Sequence, residues 1–238
     1  MPSTFQWRQV LRVAAALTSV TLFFFGAPIA VRSYRAYAEA RLDPIAASQS
    51  EQEAILRVVI DASRFESVPP PPSAPGQKTK IQPRQPVVLI DDSTVLCDES
   101  EHNADKQDCD LHSDWEELVT SPYIDRRIPK KLRLELIAVN QSRTAIPKFT
   151  SPLVQYSTRK QIYEVFQNQG WWKDVYTRYP DTTGFAEASR AALTADHMHA
   201  LVYLSYSCGG SCGTGFLYFL GRSGDQWKIE VSSLVWVS

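Results

Sequence analysis

The spacing of apolar residues changes along the chain from a helical to a strand-like period. A first amphipathic helix is predicted between Ala46 and Phe65, with a buried stripe formed by Ile55, Val58, Val59 and Ala62. Ser48 or Ser50 is suited to cap this helix, because a serine hydroxyl accepts a hydrogen bond from the free amides of a first turn. A short apolar strand, VVLI, is predicted just before residue 91.

Further helical patterns occupy the middle of the chain. The spacing predicts a helix from about residue 129 to 140, another from 158 to 170, and one or two more turns after 171. Pro129 fits a first helical turn, and Gly170 fits a helix end. A short helix beginning at Ser113 is also predicted.

From residue 185 onward the apolar period becomes two. Four strands are predicted, over residues 185–193, 200–206, 216–220 and 227–231, and residues 235–238 form a fifth strand or the end of the fourth after a bulge. We expect Trp227, Ile229 and Val231 on the inner face and Lys228 and Glu230 on the outer face. Short connections predict an antiparallel β-meander. Helices first and strands last indicate an α+β fold, in which helices are followed by a C-terminal antiparallel β-meander.

One apolar run near the start predicts a membrane anchor. Residues 13–31 contain no charge, and about 19 helical residues reach across the hydrocarbon core of a bilayer. Arg32 and Arg35 follow the run where a signal-peptide cleavage site needs small neutral residues, although residues 36–38 read Ala-Tyr-Ala. We therefore expect an uncleaved transmembrane helix after a cytoplasmic tail of residues 1–12.

The cysteines decide the predicted orientation, because the arginines on the two sides of the apolar run nearly balance. Two local pairs, Cys97 with Cys109 and Cys208 with Cys212, are typical of short disulfide loops in an oxidising compartment. We expect a juxtamembrane segment, residues 32–45, and an extracytoplasmic, periplasmic domain, residues 46–238.

Two predicted loops interrupt this domain. Residues 67–86 include four successive prolines, which favour a stiff exposed spacer. Residues 98–117 are strongly acidic and lack apolar periodicity, which predicts a surface loop. The whole chain carries a net charge of −1 and no basic patch interleaved with aromatics, so we expect no nucleic-acid partner.

The segment CGGSCGTG, residues 208–215, is the sharpest local motif. A redox dithiol, a glycine-rich anion site and a structural disulfide are all compatible with it. The three residues between the cysteines and the predicted strands on both sides favour the structural disulfide, with the glycines supplying positive φ angles.

The C-terminal part of the chain resembles an uncharacterised family of bacterial exported and lipoprotein-like domains. The residues that carry the resemblance are Ala200–Tyr203, the CGGSCGTG segment, Trp227–Ile229 and Trp236–Ser238, together with Trp171, Tyr179, Pro180 and Gly184 upstream. The resemblance covers about the last 70 residues and implies a compact exported domain. It implies no catalytic activity.

Two groups of side chains could bind a metal ion. The acidic loop offers Asp98, Glu101, Asp105, Asp108 and Asp110 as oxygen ligands for calcium, but their spacing does not match an EF-hand. His197 and His199 would share one face of a strand, although residues 196–199 fit a turn better. We expect no bound metal and no cofactor.

These observations favour a non-enzymatic role. The sequence lacks an HExxH motif and a P-loop. We expect a membrane-anchored extracytoplasmic binding or interaction domain for an unknown protein or small-molecule ligand. The alternatives are a thiol-disulfide redox protein that uses Cys208 and Cys212, and a divalent-cation-binding protein that uses the acidic loop.

Overall fold

Helices cover both faces of one mixed β-sheet. The structure, a computed structural model, describes residues 44–63, 65, 85–93, 121–167 and 171–238. The described helices are α1 (Gln49–Ala62), α2 (Lys130–Val139), α3 (Arg159–Gln167) and α4 (Trp172–Arg178). The described strands are β1 (Ile45–Ala46), β2 (Val87–Ile90), β3 (Val154–Ser157), β4 (Phe185–Ala188), β5 (Ala192–Leu193), β6 (His199–Gly209), β7 (Cys212–Ser223) and β8 (Gln226–Val237). This arrangement confirms the α+β class.

Several predicted features lie outside the described residues. They are the membrane segment at residues 13–31, the Cys97–Cys109 pair, the acidic loop, the helix from Ser113 and nearly all of the proline-rich loop. In the part of the chain that the structure describes, no helix is long and apolar enough to cross a bilayer.

The sheet is organised around β6. This strand pairs with β7 on one side and with β4 and β5 on the other, and β7 also pairs with β8. These pairings are all antiparallel, and they confirm the C-terminal meander. However, β2 pairs in parallel with both β3 and β4, and β1 pairs with β5.

The prediction of a purely antiparallel sheet without strand–helix alternation was therefore wrong. The chain runs from β3 through α3 and α4 to β4, and both strands lie parallel to β2, which sits between them. Parallel neighbours need such a crossover connection. The sequence VQYS of β3 is too short and too polar to be recognised by its period.

The two faces of the sheet bury different clusters. On one face α1 packs Ile55, Leu56, Val59 and Ile60 against alternate residues of β2, β4, β6 and β7. On the other face α2 covers β6 and β7, while α3 and α4 cover β2. Both faces of β6 are therefore buried, which explains its nearly continuous apolar sequence.

Strand β8 changes the face it presents because of a bulge. Trp227 and Ile229 belong to the α1 side, whereas Val231 packs on the α2 side. The pairing with β7 shifts register between these residues, and Glu230 is the extra residue. The prediction that all three apolar residues share one face was wrong for this reason. A second shift, at Val235, confirms that residues 235–238 continue the fourth strand after a bulge.

The strand predicted over residues 185–193 is broken at residues 189–191, and two buried amides hold the break. Gln52 of α1 donates to Ser189 O at 3.0 Å and accepts from Ala191 N at 2.7 Å. Asn140, which follows α2, donates to Arg190 O and accepts from Arg190 N, both at 2.8 Å. We call this arrangement the amide clamp. It pairs backbone groups that the sheet leaves open and connects a helix on each face to one segment.

Replacing Gln52 by Met removes one half of the amide clamp at similar side-chain volume. We expect Gln52→Met to lower the free energy of unfolding by about 2–4 kcal/mol, because two buried backbone groups lose their partners. The measurement is urea unfolding followed by tryptophan fluorescence. Gln49→Met, one turn earlier and exposed, is the matched control, with an expected change within about 0.5 kcal/mol. Equal effects of the two changes would contradict the role of the clamp.

Candidate functional site

Charged side chains converge where the parallel strands end. Arg159 begins α3 directly after β3, Asp92 follows β2, and Glu187 lies in β4. Arg159 Nε donates to Asp92 Oδ1 at 3.1 Å, and Arg159 Nη1 donates to Glu187 Oε1. We call these three residues the arginine cluster. The carboxyl ends of parallel strands are the usual place for ligand sites in such sheets.

The arginine cluster is partly buried and internally paired. The side-chain exposures of Arg159, Asp92 and Glu187 are 12%, 29% and 18%. One cation lies between two carboxylates, and neighbouring Asp91 is paired with Lys148 Nζ at 3.1 Å. The cluster contains no nucleophile beside a base, so its evident role is to join the ends of β2, β3 and β4.

A row of small residues leads from this cluster across the same face. Ser205 of β6 lies opposite Glu187, Gly215 of β7 lies opposite Ser205, and Trp236 of β8 lies opposite Gly215. The indole of Trp236 covers Gly215, where an added Cβ would collide with the ring. Its Nε1 donates to Tyr203 Oη at 2.7 Å. Trp236, which is half-buried, therefore packs over the sheet at Gly215.

The Cys208–Cys212 disulfide is present at the end of the β6–β7 hairpin, with the two Cα atoms 5.1 Å apart. Gly209 pairs with Cys212, and Cys208 is the extra residue of a bulge. Cys208 is 7% exposed, and its carbonyl accepts a hydrogen bond from Tyr176 Oη at 2.8 Å. The disulfide thus connects β6 and β7, two strands that already pair with each other, as a structural disulfide does.

The predicted role of the glycines in this motif was wrong. None of the glycines between Cys208 and Gly215 has a positive φ angle; the described glycines that do are Gly184 and Gly224. Instead, Gly213 and Gly215 leave the space that the Trp236 ring occupies. Close packing of an aromatic ring is a second reason for glycine in a strand.

The two histidines proposed as metal ligands serve different neighbours. His197 lies in the turn before β6, and its Nδ1 is 3.0 Å from Glu51 Oε1. His199 begins β6 and stacks on Phe219, with ring centroids 5.3 Å apart. Among the residues that the structure describes, no three His, Cys, Asp or Glu side chains could hold one metal ion. The carboxylates of the acidic loop lie outside these residues.

Ser48, Glu51 and His197 form a hydrogen-bonded chain at the start of α1. Ser48 caps the helix, as predicted, and Glu51 completes a capping box. Ser48 Oγ donates to Glu51 Oε2 at 2.6 Å, so the carboxylate stands between the serine and the histidine. A catalytic triad needs the histidine in that middle place. These three hydrogen-bonded residues therefore fix the start of α1, and their order leaves Ser48 without a base that would activate it as a nucleophile.

The pKa of Glu51 is lowered from 4.5 to about 2. Desolvation by burial alone would raise this pKa, but hydrogen bonds from Ser48 and His197 outweigh it. Because the folded-state pKa is depressed, the stabilisation is complete above the unfolded pKa and is lost as the pH falls through the folded pKa.

Comparisons with family models, with curated proteins and with solved structures find no match to this chain. The resemblance of the C-terminal part to exported bacterial domains stays a prediction.

Sequence reasoning identified the disulfide but missed the arginine cluster and the amide clamp. For the arginine cluster, one sequence signal was available: Asp91-Asp92 comes directly after an apolar strand, and residues that follow buried parallel strands gather at one edge of the sheet. No local pattern indicates that Gln52 and Asn140 meet the same segment.

Removing the central cation tests the arginine cluster. We expect Arg159→Gln to lower the free energy of unfolding by about 2–3 kcal/mol, because two partly buried carboxylates lose their counterion. Lys160→Gln is the matched control, since the Lys160 side chain is 85% exposed, and its effect should stay within about 0.5 kcal/mol. Adding Glu187→Gln to Arg159→Gln should recover part of the loss. Urea unfolding measures all three, and no recovery would count against the pairing.

A pH series tests the capping carboxylate. We expect the wild-type chain to lose unfolding free energy between about pH 4.5 and about pH 2 as Glu51 takes up its proton, and Glu51→Gln to lack this part of the acid limb. Urea unfolding at several pH values from 6 to about 2 gives the difference between the two chains. A difference that stays constant over this range would contradict the assignment.

Proposed function

We propose that the chain is a membrane-anchored extracytoplasmic interaction domain. The observation that carries the proposal is that the polar groups described above form hydrogen bonds within the fold. This holds for the arginine cluster, for the amide clamp and for the Ser48–Glu51–His197 group. Helices cover both faces of the sheet. Function of such a domain resides on its outer surface.

A small recess among the described residues also bears on this assignment. It lies beside the amide clamp and encloses about 10 Å³, which is room for a single water. Its lining includes Ala47, Gln52, Ser93, Ile146 and Arg190. An organic ligand needs a cleft of several hundred cubic ångströms, so this recess does not serve as a substrate pocket.

The redox alternative has less support. A redox disulfide needs an exposed sulfur and a group that lowers a thiol pKa. Cys208 is buried, Cys212 is half-buried, and the Tyr176 hydroxyl donates to the backbone carbonyl of Cys208. The cation-binding alternative depends on the acidic loop, which lies outside the described residues.

The membrane assignment is tested on the full chain in a bacterial host. We expect the protein to stay with membranes in alkaline carbonate, because a transmembrane helix is held by burial of its apolar residues. A periplasm-dependent reporter fused after Ser238 should be active. The matched control places two arginines in the apolar run, Phe24→Arg and Val20→Arg, and should release the chain. Extraction of the wild-type chain or an inactive reporter would overturn the proposed placement.

Thiol labelling of the same cells separates an interaction domain from a redox protein. In a chain with Cys97→Ser and Cys109→Ser, we expect Cys208 and Cys212 to stay unlabelled by a maleimide until a strong dithiol reductant is added. Labelling of both thiols in unreduced cells would favour the redox alternative.

A further inference from the structure

A group of exposed cations surrounds the start of α2. Arg126, Arg127, Lys130 and Lys131 are all exposed and fall within six residues. Tyr123, which precedes them, is 91% exposed. The expectation that the chain has no basic patch beside aromatic residues was wrong at this place, and we call these five residues the basic patch.

The packing of this segment explains why the patch faces outward. The residues at four-position spacing, Ile124, Ile128, Leu132 and Leu136, are all buried against the sheet. Two turns, closed by Ile124 N to Ser121 O and Ile128 N to Asp125 O, lead into the helix. With one side of each turn held in the core, the intervening side chains point to solvent.

The patch is only partly neutralised. Arg127 is paired with Asp125, with Nη2 2.7 Å from Oδ2, and Lys131 Nζ is 3.5 Å from Glu135 Oε1. Arg126 and Lys130 form no ion pair with a residue that the structure describes. Counted over the described residues, the patch therefore carries more positive than negative charge around an exposed tyrosine.

We infer that the basic patch contacts the anionic headgroups of a lipid bilayer. Lysine and arginine near an anionic leaflet are attracted by its surface potential, and their long stems let the charge reach the headgroups. A tyrosine ring prefers the interface between headgroup and acyl chain. Exposed cations around an exposed aromatic ring thus match both the charge and the interfacial region of an anionic lipid surface.

The inference rests on the proposed function, because a tether keeps the domain near the bilayer and makes a weak contact effective. Two separate readouts keep the two proposals apart. Recovery of the full chain with neutral vesicles tests the tether. Protection of the patch in anionic vesicles tests the contact.

The experiment labels lysines of the full chain reconstituted in vesicles of phosphatidylcholine, with or without about one-third phosphatidylglycerol. A membrane-impermeant acetylating ester is applied to the outside, and mass spectrometry gives the rate at each lysine. Relative to exposed Lys160, we expect labelling of Lys130 and Lys131 to slow about threefold or more in anionic vesicles. High salt, about 0.5 M, should remove the difference.

Paired variants give the matched control. Arg126→Gln with Lys130→Gln should remove most of the protection at Lys131. Lys173→Gln with Arg178→Gln, which changes the charge equally on α4, should leave it intact. Equal labelling in both vesicle types would overturn the inference. Protection already present in neutral vesicles would also overturn it and would assign the patch to a protein contact, within the chain or with a second copy.

Discussion

The amide clamp is the interaction on which the rest of the architecture depends. A continuous strand from β4 through β5 would satisfy its own backbone by pairing with β6. The break at residues 189–191 opens buried backbone groups, and Gln52 and Asn140 pair them from opposite faces. Because buried polar groups are costly when unpaired, each helix can take only one position along the sheet. The positions of α1 and α2 along the sheet thus follow from the hydrogen bonds of Gln52 and Asn140 to residues 189–191.

Local patterns predicted most of the elements that the structure describes. All four helices were found from their apolar spacing or from turn and cap residues, and Ser48 is one of the two serines expected to cap α1. The meander of β6, β7 and β8 was also predicted, because its strands are long and joined by short turns. What failed was non-local. β1 and β5 have two residues each, too few to show a period, and β3 reads as a loop until its pairing with β2 is known.

The errors in β8 and in residues 208–215 are alike in that one sequence pattern is compatible with two structures. A bulge adds one residue and so exchanges the two faces of a strand, and the sequence around Glu230 alternates regularly whether or not the bulge is present. Similarly, a glycine chosen for a turn and a glycine chosen to admit an indole ring are the same letter. Only Asp92 of the arginine cluster had a local signal, its place after β2; the other two members come from α3 and β4 and meet it only when the parallel strands align.

The position of α1 in the chain has a consequence for how the domain is made. Apart from β2, the strands against which residues 49–62 bury their apolar side follow more than 120 positions later, up to Trp227 of β8. During synthesis α1 therefore leaves the ribosome with most of its packing surface still missing, and that surface is complete only when the C-terminal strands have emerged. A chain whose early helix is completed this late keeps apolar surface accessible to chaperones during synthesis. The strands β6, β7 and β8, which are synthesised last, then provide the surface on which α1 packs.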